Sequence, residues 1–168
     1  MLTNLVKSVE ELKMKPTLKH IDPMLVVGIG VRTTNHAESK KDTAKIPALW
    51  GRFFQENLSG KIPNQIQSSQ TYGVYSSYES DCDGKYTVTA GKCVSRVDNL
   101  PQYLAMVNVE GGSYLVFEGK GPMPEIVINI WKEIWNYFSS KQELKRRHTT
   151  DFELYKAGGE VAIHIAVM

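Results

Sequence analysis

The order of residues predicts an α+β fold in which a strand–helix–strand–strand unit occurs twice and builds one antiparallel sheet. Three observations predict it. Two apolar stretches at helical spacing, Ile46 to Leu58 and Ile126 to Phe138, lie about one half-chain apart. Each is preceded by a strand-like run and followed by two more. When the halves are laid over each other, Leu49-Trp50 meets Ile130-Trp131 and Val74-Tyr75 meets Leu154-Tyr155.

Taken in order, Ser8-Val9-Glu10-Glu11-Leu12 offers a serine cap and an acidic first turn, so residues 1–15 read as a helical extension ending at Pro16. Thr17 to Ile21 and Leu25 to Arg32 have strand composition and form one long strand kinked at Asp22-Pro23. Residues 33–45 are polar and loop-like. The first helix carries Leu49, Trp50, Phe53 and Phe54, and Gly60 and Pro63 end it. Thr71 to Glu79 and Lys85 to Val94 form a hairpin around Asp81-Cys82-Asp83-Gly84. Tyr103 to Val109 and Ser113 to Glu118 form a second kinked strand, broken at Glu110-Gly111-Gly112. Pro122 and Pro124 open the second helix, whose apolar side carries Ile126, Ile130, Trp131, Ile134 and Trp135. Lys141 to Arg147 reads as a basic connector in which Lys145-Arg146-Arg147 is a solvated loop, and Asp151–Tyr155 and Val161–Val167 form the last hairpin around Gly158-Gly159. The whole is a single domain, with repeat halves at about 16–96 and 101–168.

Composition narrows the function. The 168 residues are 42% apolar with a formal charge of +2, too small and too evenly spread for direct nucleic-acid binding. No apolar run approaches the roughly 20 residues of a membrane helix, and the N-terminus lacks the apolar core of a signal peptide, so the cytoplasm is the default. Cys82 and Cys93 read as reduced thiols, with a disulfide across the hairpin as the alternative. Metal-ligand patterns are absent, no cofactor is expected, and Gly28-Ile29-Gly30 lacks the third glycine of a dinucleotide fingerprint.

Alternation divides the strands between two faces. Leu25, Val27, Ile29, Val31, Val74, Val88, Phe152, Leu154 and Val161 to Val167 at every second position belong under the helices. The remaining face is expected to be an open groove away from the helices, lined by Gly28, Gly73, Tyr75, Tyr114, Glu118, Glu153, Tyr155 and His164. His164, with no acid or nucleophile near it in sequence, has hydrogen-bonded structure as its first reading. A carboxylate walled by rings suits a lipophilic organic cation: ring faces attract positive charge by about 0.5–2 kcal/mol each. A neutral ligand would leave the buried charge unpartnered, at a cost of several kcal/mol.

Several runs carry a family likeness: Met24 to Thr33, Leu49-Trp50-Gly51-Arg52-Phe53, Tyr72-Gly73-Val74-Tyr75, Gly111 to Pro122 and Asp151-Phe152-Glu153-Leu154-Tyr155. Over residues 16–168 the chain resembles the GyrI-like effector-binding domain, the drug- or inducer-binding module of many bacterial regulators. The resemblance implies a pseudo-twofold arrangement with ligand between the two units, a cation contact at Glu153, and Tyr75, Tyr114, Tyr155, Trp50 and Trp131 lining the pocket. The first 15 residues are too few for a helix-turn-helix, so it implies a stand-alone binder, sensing or sequestering small organic cations or acting through a regulator or other protein partner. A hydrolase acting on a reactive ligand, with Glu153 or Glu118 as base, and a protein-interaction module of gyrase-inhibitor type are the alternatives. No catalytic residues are assigned.

Overall fold

The computed structural model describes residues 11–12, 15–81 and 83–168. Its elements are β1 (Glu11–Leu12), β2 (Thr17–Ile21), β3 (Met24–Thr33), α1 (Asn35–Glu38), α2 (Ile46–Gln55), β4 (Thr71–Ser76), β5 (Tyr86–Val94), β6 (Ala105–Val109), β7 (Gly112–Lys120), α3 (Glu125–Ser139), β8 (Asp151–Tyr155) and β9 (Glu160–Ala166). The strands form one antiparallel sheet in the order β1-β7-β9-β8-β4-β5-β3-β6, and β2 lies beside β1 along the outer edge of β7. This is the α+β architecture expected, with the strand–strand–helix–strand–strand order run through twice.

Both long strands kink where expected, and each kink carries the chain across the molecule. Only Asp22-Pro23 separates β2 from β3, yet β2 pairs with β7 while β3 pairs with β5 and β6. In the same way Glu110-Gly111 separates β6, which pairs with β3, from β7, which pairs with β9. The two kinks pack together: a side chain at Gly111 would come within 2.7 Å of the Pro23 ring.

Two differences lie in the termini and loops. Glu11–Leu12 is a strand paired with Gly119-Lys120, not part of a helix, and most of the expected helical extension over residues 1–15 lies outside the described residues. Within the polar 33–45 segment, Thr34 caps the single turn of α1 through a bond from the Ala37 amide. Cys82 also lies outside the described residues, and Cys93 is a free thiol.

Each helix covers one wing of the sheet. Leu49 and Phe53 of α2 pack on Val27, Ile29, Val88 and Ala90, whereas Ile126, Ile130 and Ile134 of α3 pack on Leu115, Phe117, Val161, Ile163 and Ile165. Burying each such side chain contributes about 1.5–3 kcal/mol, so these two layers set the position of the helices. A third cluster, Val26, Tyr72, Val74, Val109, Tyr114, Phe152 and Ala166, fills the reverse face behind the central strands.

The third cluster overturns part of the expected facing. Pairing across the sheet runs Ile29, Ala90, Gly73, Glu153, Ile163, Phe117, so Gly73 and Glu153 share the helix-bearing face with Ile29 and Ile163. Val74, Phe152 and Leu154 therefore point away from the helices, and Gly73, Tyr75, Glu153 and Tyr155 point towards them. The groove and the helices occupy one face, not opposite faces. The physical reason is that β4 is buried on both sides, so its apolar residues fill the reverse core and cannot mark the helix side.

Candidate functional site

Because α2 sits over β3 and β5 and α3 over β7 and β9, neither helix covers the central pair, β4 and β8. The result is a groove of about 790 Å³ whose floor includes Thr71, Tyr75, Glu153 and Tyr155. Trp50 and Phe54 of α2 form one wall, and Val127, Ile128, Trp131 and Trp135 of α3 form the other. A volume of this size holds a drug-sized molecule.

Glu153 lies at the centre and is 2% exposed. The Trp131 Nε1–H donates to its Oε2 at 2.7 Å and the Tyr75 hydroxyl to the same oxygen at 3.1 Å, while the Tyr155 hydroxyl donates to Oε1 at 2.8 Å. Gly73, directly across the strand pair, makes room for the carboxylate: a Cβ there would lie 2.7 Å from Oε1 and 3.1 Å from the Trp50 ring. Burial pushes the Glu153 carboxyl pKa up, and the three donated bonds pull it partly back. Burial and the neighbouring carboxylate push Tyr75 and Tyr155 well above the ordinary tyrosine value, so both hydroxyls keep their protons and remain donors.

The rings around the carboxylate interlock. Tyr75 and Trp131 meet edge to face at 5.1 Å between centroids, and Trp50 and Tyr155 do so at 5.3 Å. Trp135 lies 6.1 Å from Trp131, and Phe54 stacks 6.0 Å from Trp50, which extends each wall towards the mouth. Such contacts hold the rings in place around the groove.

A second buried acid shows by contrast why Glu153 is the candidate. Asp151 is wholly buried, but its Oδ2 receives Arg146 Nη2 at 2.7 Å and the Tyr78 hydroxyl at 2.6 Å, and its Oδ1 receives the Ala166 amide at 2.8 Å. Arg146 neutralises it and ties the connector before β8 to the sheet. The expected solvated connector is thus corrected: the Arg146 side chain is 12% exposed, and the Arg147 guanidinium lies over the Tyr114 ring. No ion pair to Glu153 exists among the described residues. No cluster of His, Cys, Asp and Glu able to hold a metal occurs among them either.

Of the ten residues singled out from sequence, Glu153, Tyr75, Tyr155, Trp50 and Trp131 meet in the groove, and Gly73 lies against Glu153 and Trp50. Tyr114, Glu118, His164 and Gly28 lie on the reverse face. Tyr114 is packed on Phe152 with its hydroxyl 3.0 Å from Thr150 Oγ1. Glu118 pairs with Lys19 at 3.8 Å. His164 stacks on Phe152 at 4.1 Å, its Nδ1 lies 3.2 Å from the Ala162 carbonyl, and burial lowers its pKa to about 4. Gly28 is a close-approach position, where a Cβ would collide with the Ala90 carbonyl at 1.8 Å. Their strands alternate as read, but the face they share is the packed one. Phe54, Trp135, Ile128, Tyr78 and Tyr86 line the groove and were not singled out. The available signal was stripe width: Trp50 with Phe54 and Trp131 with Trp135 flank the buried seams of Leu49-Phe53 and Ile126-Ile130-Ile134, making each apolar stripe wider than one core contact needs.

Comparison with known proteins agrees with this architecture. The Bacillus subtilis (strain 168) protein YobU, named for a proposed role in transcriptional regulation, is 32% identical over 145 residues, covering 86% of this chain and 88% of its own. The crystal structure of an integron cassette protein from the mobile metagenome of Vibrio cholerae superposes with a TM-score of 0.82 at 37% identity, over 95% of this chain and 99% of that one. The structure of SAV2435 bound to tetraphenylphosphonium has the same fold, with a TM-score of 0.76 at 21% identity over 92% of this chain and 94% of that one. No helix among the described residues is long and apolar enough to cross a membrane. The model of the integron-associated effector binding proteins (Cass2) matches residues 17–167, and the chain belongs to that family.

Proposed function

We propose that the groove binds lipophilic organic cations, and that the chain acts as a sensor or sequestering protein for them, or as the ligand-responsive partner of a transcription regulator. One observation carries this reading: Glu153 is a buried carboxylate held by three neutral donors, with no cation paired to it among the described residues. A permanently buried carboxylate without a counter-charge costs several kcal/mol, and an incoming cation recovers part of that cost. The aromatic faces around it add about 0.5–2 kcal/mol for each ring the charge approaches. The tetraphenylphosphonium held by SAV2435, on the same fold, is a ligand of this chemical class. The relatives are named as binding or regulatory proteins rather than enzymes, in keeping with a site that binds without turnover.

Trp50, Trp131 and Trp135 supply the signal for a test. Titration with tetraphenylphosphonium should change tryptophan emission saturably, and neutral triphenylphosphine oxide should bind at least about tenfold more weakly, a difference of roughly 1.4 kcal/mol. Glu153→Gln should remove most of that preference. Equal affinity for the two compounds, unchanged by the substitution, would overturn the reading.

A further inference from the structure

The hydrogen-bonding state of the Glu153 carboxylate says which cations the groove accepts. Oε2 already receives two donors, Trp131 Nε1–H and the Tyr75 hydroxyl, and Oε1 receives the Tyr155 hydroxyl. Oε1 also lies against the backbone of the neighbouring strand, at the position a Cβ of residue 73 would crowd. Glu153 lines the groove floor but is only 2% exposed, so a ligand in the groove meets mostly the rings around the carboxylate and little of its oxygens.

Other oxygens along the groove are engaged as well. The Glu38 carboxylate accepts from the Thr33 hydroxyl at 2.6 Å and from the Lys45 amide at 2.9 Å, and Asn35 Oδ1 accepts the Tyr86 hydroxyl at 2.9 Å. Asp81 sits at the exposed rim and accepts the Asp83 amide. The deep part of the groove therefore offers ring faces around the Glu153 carboxyl but few free acceptors, and the guanidinium that lines it, Arg146, is paired with Asp151.

We propose, resting on the cation-binding reading above, that Tyr75, Tyr155 and Trp131 act as a specificity filter: by occupying the carboxylate they make the groove select cations that donate no hydrogen bonds, such as quaternary ammonium and phosphonium ions, over protonated amines of the same shape. The physical ground is desolvation. A primary ammonium leaves three strong bonds to water and must replace them, because an unsatisfied charged donor in a buried site is costly. A quaternary cation has no such bonds to lose, and ring faces with a shielded carboxylate satisfy it in full. Three neutral donors thus favour the charged form of Glu153 against the effect of burial and at the same time hold it back from direct contact.

The test uses the full chain and a biphenylmethyl scaffold carrying –NH3⁺ or –N(CH3)3⁺, with the neutral –CH3 and –C(CH3)3 counterparts giving the contribution of the three methyl groups alone. After that correction the quaternary ion should bind about tenfold tighter than the primary one at neutral pH, equivalent to roughly 1.4 kcal/mol. Tyr155→Phe frees an acceptor position on Oε1, and the corrected ratio should fall below about threefold through a gain in affinity for the primary ion. Tyr75→Phe, which frees Oε2 in part, should move the ratio the same way and serves if the first variant melts early. If the quaternary ion binds no better than its neutral counterpart, the cation-binding reading itself fails. If both ions outbind their neutral counterparts but the primary one equals or exceeds the quaternary one, the filter is overturned and cation binding stands. An unchanged ratio in both tyrosine variants also overturns the filter.

Discussion

At the scale of single residues, the site depends on one missing side chain. Gly73 and Glu153 face each other across β4 and β8, and the space that a Cβ at 73 would take is occupied by Glu153 Oε1 and the edge of Trp50. Glu153 cannot retreat without breaking the bonds from Tyr75, Tyr155 and Trp131. Gly73→Ala should therefore cost about 1–3 kcal/mol of stability, the usual range for overpacking a tight interior. It should also weaken tetraphenylphosphonium binding several-fold, read from denaturant melts and tryptophan titration on the same preparation. A variant with unchanged melting and unchanged affinity would show that the carboxylate has room to move. The strand alternation of Asp151-Phe152-Glu153-Leu154-Tyr155 was legible in sequence, and the overlay of the two halves made Gly73 the counterpart of Glu153. The three donors were not, because Tyr75 and Trp131 come from elements 78 and 22 residues away and meet Glu153 only through the fold.

At the scale of elements, the helices were readable and the face of the central strands was not. Apolar spacing located both helices to within a few residues, and Pro122 and Pro124 marked the start of α3. The facing of β4 and β8 failed because hydrophobic alternation marks a face only where the other side is wet, and Val74, Phe152 and Tyr72 fill a core of their own on the reverse side. The connector before β8 was misread for a related reason: Arg146 and Arg147 look like a solvated charge run until Asp151 and the Tyr114 ring are seen to lie beneath them. Its contribution can be measured. Arg146→Met would leave the fully buried Asp151 carboxylate without its cation and should cost about 3–5 kcal/mol in chemical denaturation. Adding Asp151→Asn should restore a substantial part of that loss, since the buried charge is then gone. If the double variant is no more stable than the single one, the pair is not coupled.

At the scale of the whole molecule, the reverse core gives stability an acid-side slope. His164 is buried against Phe152 with its pKa lowered to about 4 from the ordinary 6.5. Between those values the unfolded chain binds a proton that the folded protein does not, so stability falls as pH drops from 6.5 to about 4 and loses nothing more from this group below that. The full effect is about 3 kcal/mol. His164→Leu should flatten the slope relative to the parent protein, measured as the difference in unfolding free energy across that window. Glu153, whose raised pKa acts in the opposite sense, is present in both proteins and cancels in the difference. Parallel slopes for the two proteins would place the acid sensitivity elsewhere.

The crossing of the chain at Pro23 and Gly111 bears on how the groove can move. Since β2 edges the wing built on β7 while β6 edges the wing built on β3, each wing is completed by a strand from the other half of the sequence, as in a domain-swapped dimer contained in one chain. The groove floor, β4 beside β8, is also one continuous hydrogen-bonded ladder. Two lobes tied at both edges and joined through the middle have no hinge between them. Widening the groove means bending the sheet itself, so the site meets its ligand close to final shape, and accommodation falls to the rotamers of Trp135, Phe54 and Met123 at the exposed mouth.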